Sequence, residues 1–245
     1  MVHSILQTLF SRANSRINLA DLAPEQEIIV IGDLHGRADL LQRFFESKPA
    51  HPVICVGDYV DRGGQSAQVL RMLQARPEVT CLGGNHEEMM LDFLDQPDAA
   101  GARWLRYGGV QTLDSFGITS PTDTCAKSAM FEARDRLADA MGAELVAWMR
   151  ELPSVWQTGN VAVVHAGADP DVPMTDQSEH TLRWGHPHFE RKPRTDCIWV
   201  VHGHTIVKTP RVRGKRISID TGAYVTGHLT VATIAPAHIT FDTIA

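Results

Sequence analysis

No stretch of the 245-residue chain approaches the roughly 20 consecutive apolar residues that a helical bilayer span requires, so a helical membrane protein is not expected. The opening residues, Met1 to Arg12, lack the long apolar core and cleavage signal of a secretory leader, and a cytoplasmic location is the expectation. Cysteine is scarce. The four present (Cys55, Cys81, Cys125 and Cys197) include no CxxC pair, which leaves a thiolate zinc knuckle unsupported and favours a reducing compartment. Cys55 and Cys81 lie inside apolar runs, where a thiol behaves as a small hydrophobe. A basic surplus is also missing: 23 Lys and Arg against 29 Asp and Glu give a net charge of −6, which argues against a general nucleic-acid binder. No internal repeat, low-complexity tract or Pro/Gly/Ser-rich linker divides the sequence. Residues 1–245 are therefore read as one domain, with 1–26 as an amphipathic lead-in and 97–150 as a helical insertion.

What is present is a repeated scheme. Ile28-Ile29-Val30-Ile31 is a β-branched run that stops at Gly32-Asp33, and a helical pattern follows from Ala38 to Ser47. Val53-Ile54-Cys55-Val56 stops at Gly57-Asp58, and a helix is expected over 66–75. Val79 to Leu82 ends at Gly83-Gly84-Asn85. Short continuous apolar strands alternating with helices imply parallel βαβ units, because a strand covered on both faces has no polar side. The stretch from Glu87 to about Pro153 reads as mainly helical. Later strands are expected at 161–164, 198–201, 216–219, 229–234 and 239–243, joined by short turns that suit a second, largely antiparallel or mixed sheet. The expectation is an α/β fold of two sheets packed face to face with helices outside.

In parallel α/β sheets ligands gather beyond the carboxyl ends of the strands, and that is where the polar residues fall. The first three strands end in Gly32-Asp33-Leu34-His35-Gly36, in Gly57-Asp58-Tyr59-Val60-Asp61-Arg62-Gly63 and in Gly84-Asn85-His86-Glu87. Two later strands end in His165-Ala166-Gly167 and in His202-Gly203-His204-Thr205. Carboxylate, amide oxygen and imidazole without thiolate suit divalent Mn, Fe, Zn or Co. A carboxylate such as Asp58 can bridge two cations, and a pair roughly 3.5–4 Å apart can generate a hydroxide and clamp phosphoryl oxygens. Any one of these endings alone is an ordinary turn. Five together, with no competing motif, point to a binuclear metal site.

Read in order, GDLHG (32–36), GDYVDRG (57–63), GNHE (84–87), VHAG (164–167) and HGHT (202–205) resemble the phosphoprotein-phosphatase branch of the calcineurin-like metallophosphoesterases. WLRYGGVQTLDSFGI (104–118) and SIDTGAY (218–224) are similar to bacterial members of that branch. The resemblance implies a four-layer αββα sandwich of two mixed β-sheets. It implies that Asp33, His35 and Asp58 hold one metal ion and that Asp58, Asn85, His165 and His204 hold the other, manganese first, with iron or zinc as alternatives. His86 would be the general acid, oriented by Asp61, and Arg62 would bind the substrate phosphate. The implied activity is a serine/threonine-type protein phosphatase, a phosphomonoesterase acting on phosphoserine, phosphothreonine or phosphotyrosine in proteins and on small aryl phosphates, with direct in-line attack by a metal-activated hydroxide. Dinucleoside polyphosphate hydrolysis is the alternative, since related enzymes share the metal site.

The sequence departs from the family pattern at one place. Bacterial relatives carry an Arg two residues after the Trp of an LLWIR-like segment, and here that segment is Leu182-Arg183-Trp184-Gly185-His186. Arg183 and His186 are the candidates for the missing phosphate contact. His202, two residues before His204, would share its side of a strand and support it by hydrogen bonding. Arg211, Arg213, Lys215 and Arg216 read as a solvated hairpin, and Trp104, Trp148 and Trp156 as packing residues. Composition alone does not say whether 97–150 covers the site or merely packs.

Overall fold

The structure, a computed structural model, describes residues 18–119 and 127–245, so Cys125 and most of the lead-in lie outside it. The expected alternation holds: β1 (Ile28–Ile31), α1 (Ala38–Glu46), β2 (Val53–Cys55), α2 (Ser66–Gln74) and β3 (Val79–Cys81) follow in order. β1 pairs in parallel with β2, and β2 with β3, so that Ile31, Cys55 and Cys81 stand side by side. A helical run follows: α3 (Asn85–Asp95), α4 (Pro97–Trp104), a π turn (Leu105–Gly109), α5 (Val110–Ser115), α6 (Lys127–Met141) and α7 (Ala143–Arg150). The second half contributes β4 (Val155–Thr158), β5 (Val161–Val164), α8 (Glu179–Trp184), β6 (Trp199–His202), β7 (Arg211–Arg213), β8 (Arg216–Ser218), α9 (Ala223–Thr226), β9 (Leu229–Ala235) and β10 (His238–Ile244).

The later strands do not all join the second sheet, as the sequence had led us to expect. β9 runs antiparallel to β1 and β10 pairs with β9, so the first sheet has the order β10-β9-β1-β2-β3. Residues 229–232 of β9 are buried without alternation, the pattern of an interior strand rather than an edge. The second sheet, β4-β5-β6-β8-β7, is mixed, with a parallel centre (β5, β6, β8) and an antiparallel strand at each edge. Those edges, β4 and β7, are the strands that sequence pattern missed. Both are short and only partly buried, so their apolar signal is weak. The basic run is the expected hairpin, with Arg211 and Arg213 on β7 and Arg216 on β8.

Strand alternation builds the layers. Ile28 and Val30 of β1 point between the sheets with Ile54, Val161, Val163, Trp199, Val201 and Ile217. Ile29 and Ile31 point the other way, onto Leu40, Leu41, Phe44, Val69 and Leu70 of the helical layer. On the second sheet Ala162, Val164 and Val200 face Leu182 and Phe189. The result is the four-layer α/β sandwich. Part of the lead-in belongs to it: Leu22 is buried in the inter-sheet core, and Ala23 donates its N–H to Asn160 Oδ1 (2.8 Å).

Candidate metal centre and active site

The loops after β1, β2, β3, β5 and β6 converge. His204, 171 residues beyond Asp33, donates its backbone N–H to both Asp33 carboxylate oxygens at 3.2 and 3.0 Å. Asp58 stands at the centre, with Oδ2 3.4 Å from His35 Nε2 and 4.0 Å from His86 Nε2, and Oδ1 3.3 Å from His165 Nε2. Asn85 Oδ1 lies 2.9 Å from His165 Nε2 and 2.8 Å from His204 Nδ1. Two donor groups result, His35–Asp58–His86 and Asp58–His165–His204, each with its ligand atoms within 4.8 Å of one another and both sharing Asp58.

Tight backbone turns place these groups. Of eight non-glycine residues with positive φ among the described residues, five belong to the site: His35, Asp58, Asp61, Arg62 and His204. Left-handed backbone costs a side-chain-bearing residue energy, and it persists only where surrounding contacts hold it. Glu87 is one such contact. Its buried carboxylate accepts the N–H groups of Asp58 (2.8 Å), Tyr59 (2.7 Å) and Gly84 (2.9 Å). Two glycines are dictated by close approach: a Cβ at Gly84 would strike the Asp58 carboxylate, and one at Gly203 the carboxylate of Asp33.

The donor chemistry fits divalent cations. Burial pushes the His35 imidazole down to about 3 and His165 down to about 4, so both rings are neutral at pH 7, as ligation requires. The Nδ1–H of His35 is directed at Val60 O (2.7 Å) and that of His165 at Val56 O (3.1 Å), which leaves each Nε2 lone pair facing the site. Burial works against the charged form of Asp58, but the charge its histidine neighbours carry when protonated, His165 first, outweighs it and holds the carboxyl below the ordinary range, so it is ionised at neutral pH. Asp33 is pushed well up by burial and by the neighbouring charges of Asp220 and Asp58. Asp220, which bonds to Asp33, rises to about 6, with burial the main cause. A cluster of buried carboxyls that cannot all ionise, beside neutral imidazoles, is a place where added positive charge is favourable.

Two more groups from GDYVDRG, Asp61 and Arg62, close around His86 at the side of this cluster. His86 Nδ1 is 2.6 Å from Asp61 Oδ2. Burial disfavours the charged His86 ring, yet the Asp58 and Asp61 carboxylates overcome it and raise its proton affinity above the usual histidine value. Arg62 directs one guanidinium nitrogen to His35 Nε2 and the other to His86 Nε2, each at 3.0 Å.

The helical stretch after residue 97 splits into two parts. Trp104 is not a packing residue alone: it stacks on Phe93, and its indole N–H donates to both oxygens of Asp61 at 3.1 Å. Thr112 donates to Asp61 Oδ1 (2.7 Å), and Gly108 O accepts the Arg62 N–H (3.3 Å). α6 and α7 instead supply Met130, Leu137, Leu145 and Met149 to the helical core. Sequence reading missed the polar roles of Trp104 and Thr112, the carboxylate of Asp220 and the ring of Tyr224; only the WLRYGG and SIDTGAY segments hinted at them.

Other candidates sit apart. Arg183 pairs with Glu88 (3.5 Å) and Glu179 (3.4 Å) and donates to Leu152 O (3.3 Å), and His186 lies 3.6 Å from Asp169. Neither touches the Asp/His cluster among the described contacts. His202 does not share a face with His204, because the chain turns at His204 (φ 62); its ring bonds to Ser218 Oγ (3.0 Å) and meets Phe189 edge-on.

Residues 27–208 match the family model of the calcineurin-like phosphoesterases. The chain is a calcineurin-like phosphoesterase. All six residues of the proposed ligand set fall inside the matched segment, whereas Asp220 and Tyr224 lie beyond it. This calcineurin-like phosphoesterase is 28% identical to serine/threonine-protein phosphatase 2 of Escherichia coli (strain K12), over 83% of this chain and 91% of that protein. It is 27% identical to the asymmetrical bis(5'-nucleosyl)-tetraphosphatase PrpE of Bacillus velezensis, over 82% and 86%. Its fold is that of a protein serine/threonine phosphatase from Saccharomyces cerevisiae (TM-score 0.56, 16% identity, 98% of this chain and 89% of that one). Among the described residues, no helix is long and apolar enough to cross a membrane.

Proposed function

We propose that this phosphoesterase is a protein phosphatase, a phosphomonoesterase of the reducing cytoplasm that acts on phosphorylated side chains and small phosphoesters. The observation that carries the reading is the trio Asp61–His86–Arg62, set against Asp58, the carboxylate that two groups of donor side chains share. Asp33, His35 and Asp58 would hold one cation and Asp58, Asn85, His165 and His204 the other, with manganese the first candidate. Bound there, two cations supply an activated water and the positive charge that in-line displacement at phosphorus needs.

The residues of the chain do the rest. Arg62 exchanges its two imidazole contacts for two phosphoryl oxygens, which a planar guanidinium matches in bidentate fashion. That exchange frees His86 Nε2 to carry a proton to the leaving oxygen, while Asp61 holds Nδ1–H and fixes the ring. Trp104 and Thr112 keep Asp61 in place.

A second reading, dinucleoside polyphosphate hydrolysis, is favoured by one feature: an open groove of about 760 Å³ runs from Arg62 and His204 past Arg106. A second cation in the groove suits a longer phosphate chain. Turnover of a phosphopeptide, p-nitrophenyl phosphate and diadenosine tetraphosphate by the manganese-loaded protein separates the two. The first reading expects the monoesters to be preferred and no phosphoryl-enzyme to be trapped in a single turnover. Preference for the tetraphosphate overturns it.

A further inference from the structure

The groove leading to Arg62 gathers exposed apolar side chains, two tyrosines among its lining residues. The large apolar side chains most exposed among the described residues are Tyr107 (54%), Phe131 (40%), Ile206 (47%) and Val225 (69%), and two of these four, Tyr107 and Ile206, line this groove. A third, Val225, directly follows Tyr224, another lining residue. Such clustering marks a binding surface rather than scattered surface hydrophobes.

Its position relative to the phosphate site narrows the ligand. The Tyr224 ring lies 5.2 Å from the Arg62 guanidinium carbon and meets the His35 ring edge-on at 5.3 Å. Tyr107 precedes Gly108, whose carbonyl accepts the Arg62 N–H and whose φ is 117, and it lines the same groove as Arg62 and Tyr224. Tyr224 is thus anchored against Arg62, and Tyr107 lines the same groove as a more exposed ring. A ring attached directly to the ester oxygen falls in that zone. A seryl methylene offers no ring face to Tyr224, and a nucleobase is separated from the phosphorus by its ribose and a further phosphate.

Resting on the phosphomonoesterase reading, we infer that Tyr107 and Tyr224 form a subsite for the aromatic ring of the leaving group, and that phosphotyrosine in a peptide is the preferred substrate class. The groove is open enough for a peptide backbone to continue along it past Gln111 and Ile206. In the reaction a P–O bond forms to water and the P–O(aryl) bond breaks. The electron pair leaves on the phenolic oxygen, which takes the His86 Nε2 proton, and tyrosine and inorganic phosphate depart. The proton lost by the water goes to solvent. A phenol, with a pKa of about 10, is also a better leaving group than an aliphatic alcohol.

The test compares the manganese-loaded full chain with Tyr107→Leu, Tyr224→Leu and the double variant. Substrates are a phosphotyrosyl and a phosphoseryl peptide of otherwise identical sequence, with diadenosine tetraphosphate as a third. Binding of phenylphosphonate and methylphosphonate is measured by calorimetry. The expected result is a phosphotyrosyl preference in the parent that shrinks by about tenfold or more in the double variant, mainly through KM, as two lost ring contacts predict. Phenylphosphonate should bind more tightly than methylphosphonate in the parent and lose that advantage in the double variant. An unchanged substrate ratio, or equal binding of the two phosphonates by the parent, overturns the subsite and leaves the phosphomonoesterase reading standing. Turnover of the tetraphosphate alone overturns both.

Discussion

The floor of the site and its rim are built in opposite ways. On the floor Asp58, Asn85, His86 and His165 are at most 4% exposed, and nearly every polar atom there is held by another. At the rim Tyr107 is 54% exposed and Ile206 47%, with few polar partners to fix them. Burial and saturated hydrogen bonding make the floor rigid and hard to alter, which suits a cation pair and its phosphate. The open rim can change without unfolding anything. The same floor can therefore serve relatives whose names carry different substrates, and selectivity has to be sought at the edge.

The largest effect should follow a change at the centre of the floor. Asp58→Asn removes the carboxylate common to both donor groups. Metal content after dialysis should fall, with a loss of kcat exceeding the roughly 10²–10⁴-fold typical of a missing general acid. Retained metal and activity would break the contrast outright. His86→Asn should keep the metal and lose about 10²–10⁴-fold on a phosphoseryl peptide, and clearly less on p-nitrophenyl phosphate, whose nitrophenolate leaves without needing a proton. Trp104→Phe keeps the stack on Phe93 but removes the N–H donor to Asp61, so kcat should drop by about 10- to 100-fold, the scale of a lost supporting hydrogen bond. If kcat holds, Thr112 and the backbone suffice to orient Asp61.

Proton uptake sharpens the same comparison. Burial pushes the Asp220 carboxyl up to about 6 and Asp33 well above the ordinary carboxyl range, whereas it pushes His35 and His165 down to about 3 and 4, so that those rings carry no proton to lose at neutral pH. Cation binding must therefore expel carboxyl protons, not imidazole protons. Affinity for manganese should weaken as pH falls through about 6, by about tenfold per pH unit for each proton displaced. Calorimetry in buffers of differing ionisation enthalpy would detect the release. Smallest of all, Arg183→Ala should change kcat/KM by less than about threefold and cost about 1 kcal/mol of stability, since of its partners Glu179 is exposed and Glu88 half-buried, both at 3.4 Å or more. A large rise in KM would return Arg183 to the phosphate site.

The residues of the floor were readable in sequence because chemistry and local structure coincide there: each strand is a short apolar run, and each ends in glycine beside an Asp, Asn or His. The chain order of β1, β2 and β3 was legible for the same reason. The destination of β9 was not, because an apolar run states that a strand is buried and leaves its neighbour undefined. β4 and β7 were missed since edge strands owe their form to a partner more than to their own pattern. Trp104 shows a different gap. Its bulk signals a core, and nothing in its surroundings along the chain reveals that the indole nitrogen will reach a carboxylate 43 positions earlier. The left-handed turns at Asp58, Asp61, Arg62 and His204 are equally silent, being imposed by distant contacts rather than by glycine.

The return of β9 to β1 has a consequence for how the protein is made. As the chain leaves the ribosome, β1 emerges early and finds β2 on one side. Its other edge stays bare until some two hundred further residues have been translated, when Ile28–Ile31 can meet Val231–Ile234 and Gly32 can donate its N–H to Thr230 O. The loop bearing Asp33 and His35 hangs from that seam. A nascent or truncated product ending before β9 would expose a long apolar ledge and lack a finished cradle for metal, inviting aggregation or chaperone capture rather than partial activity.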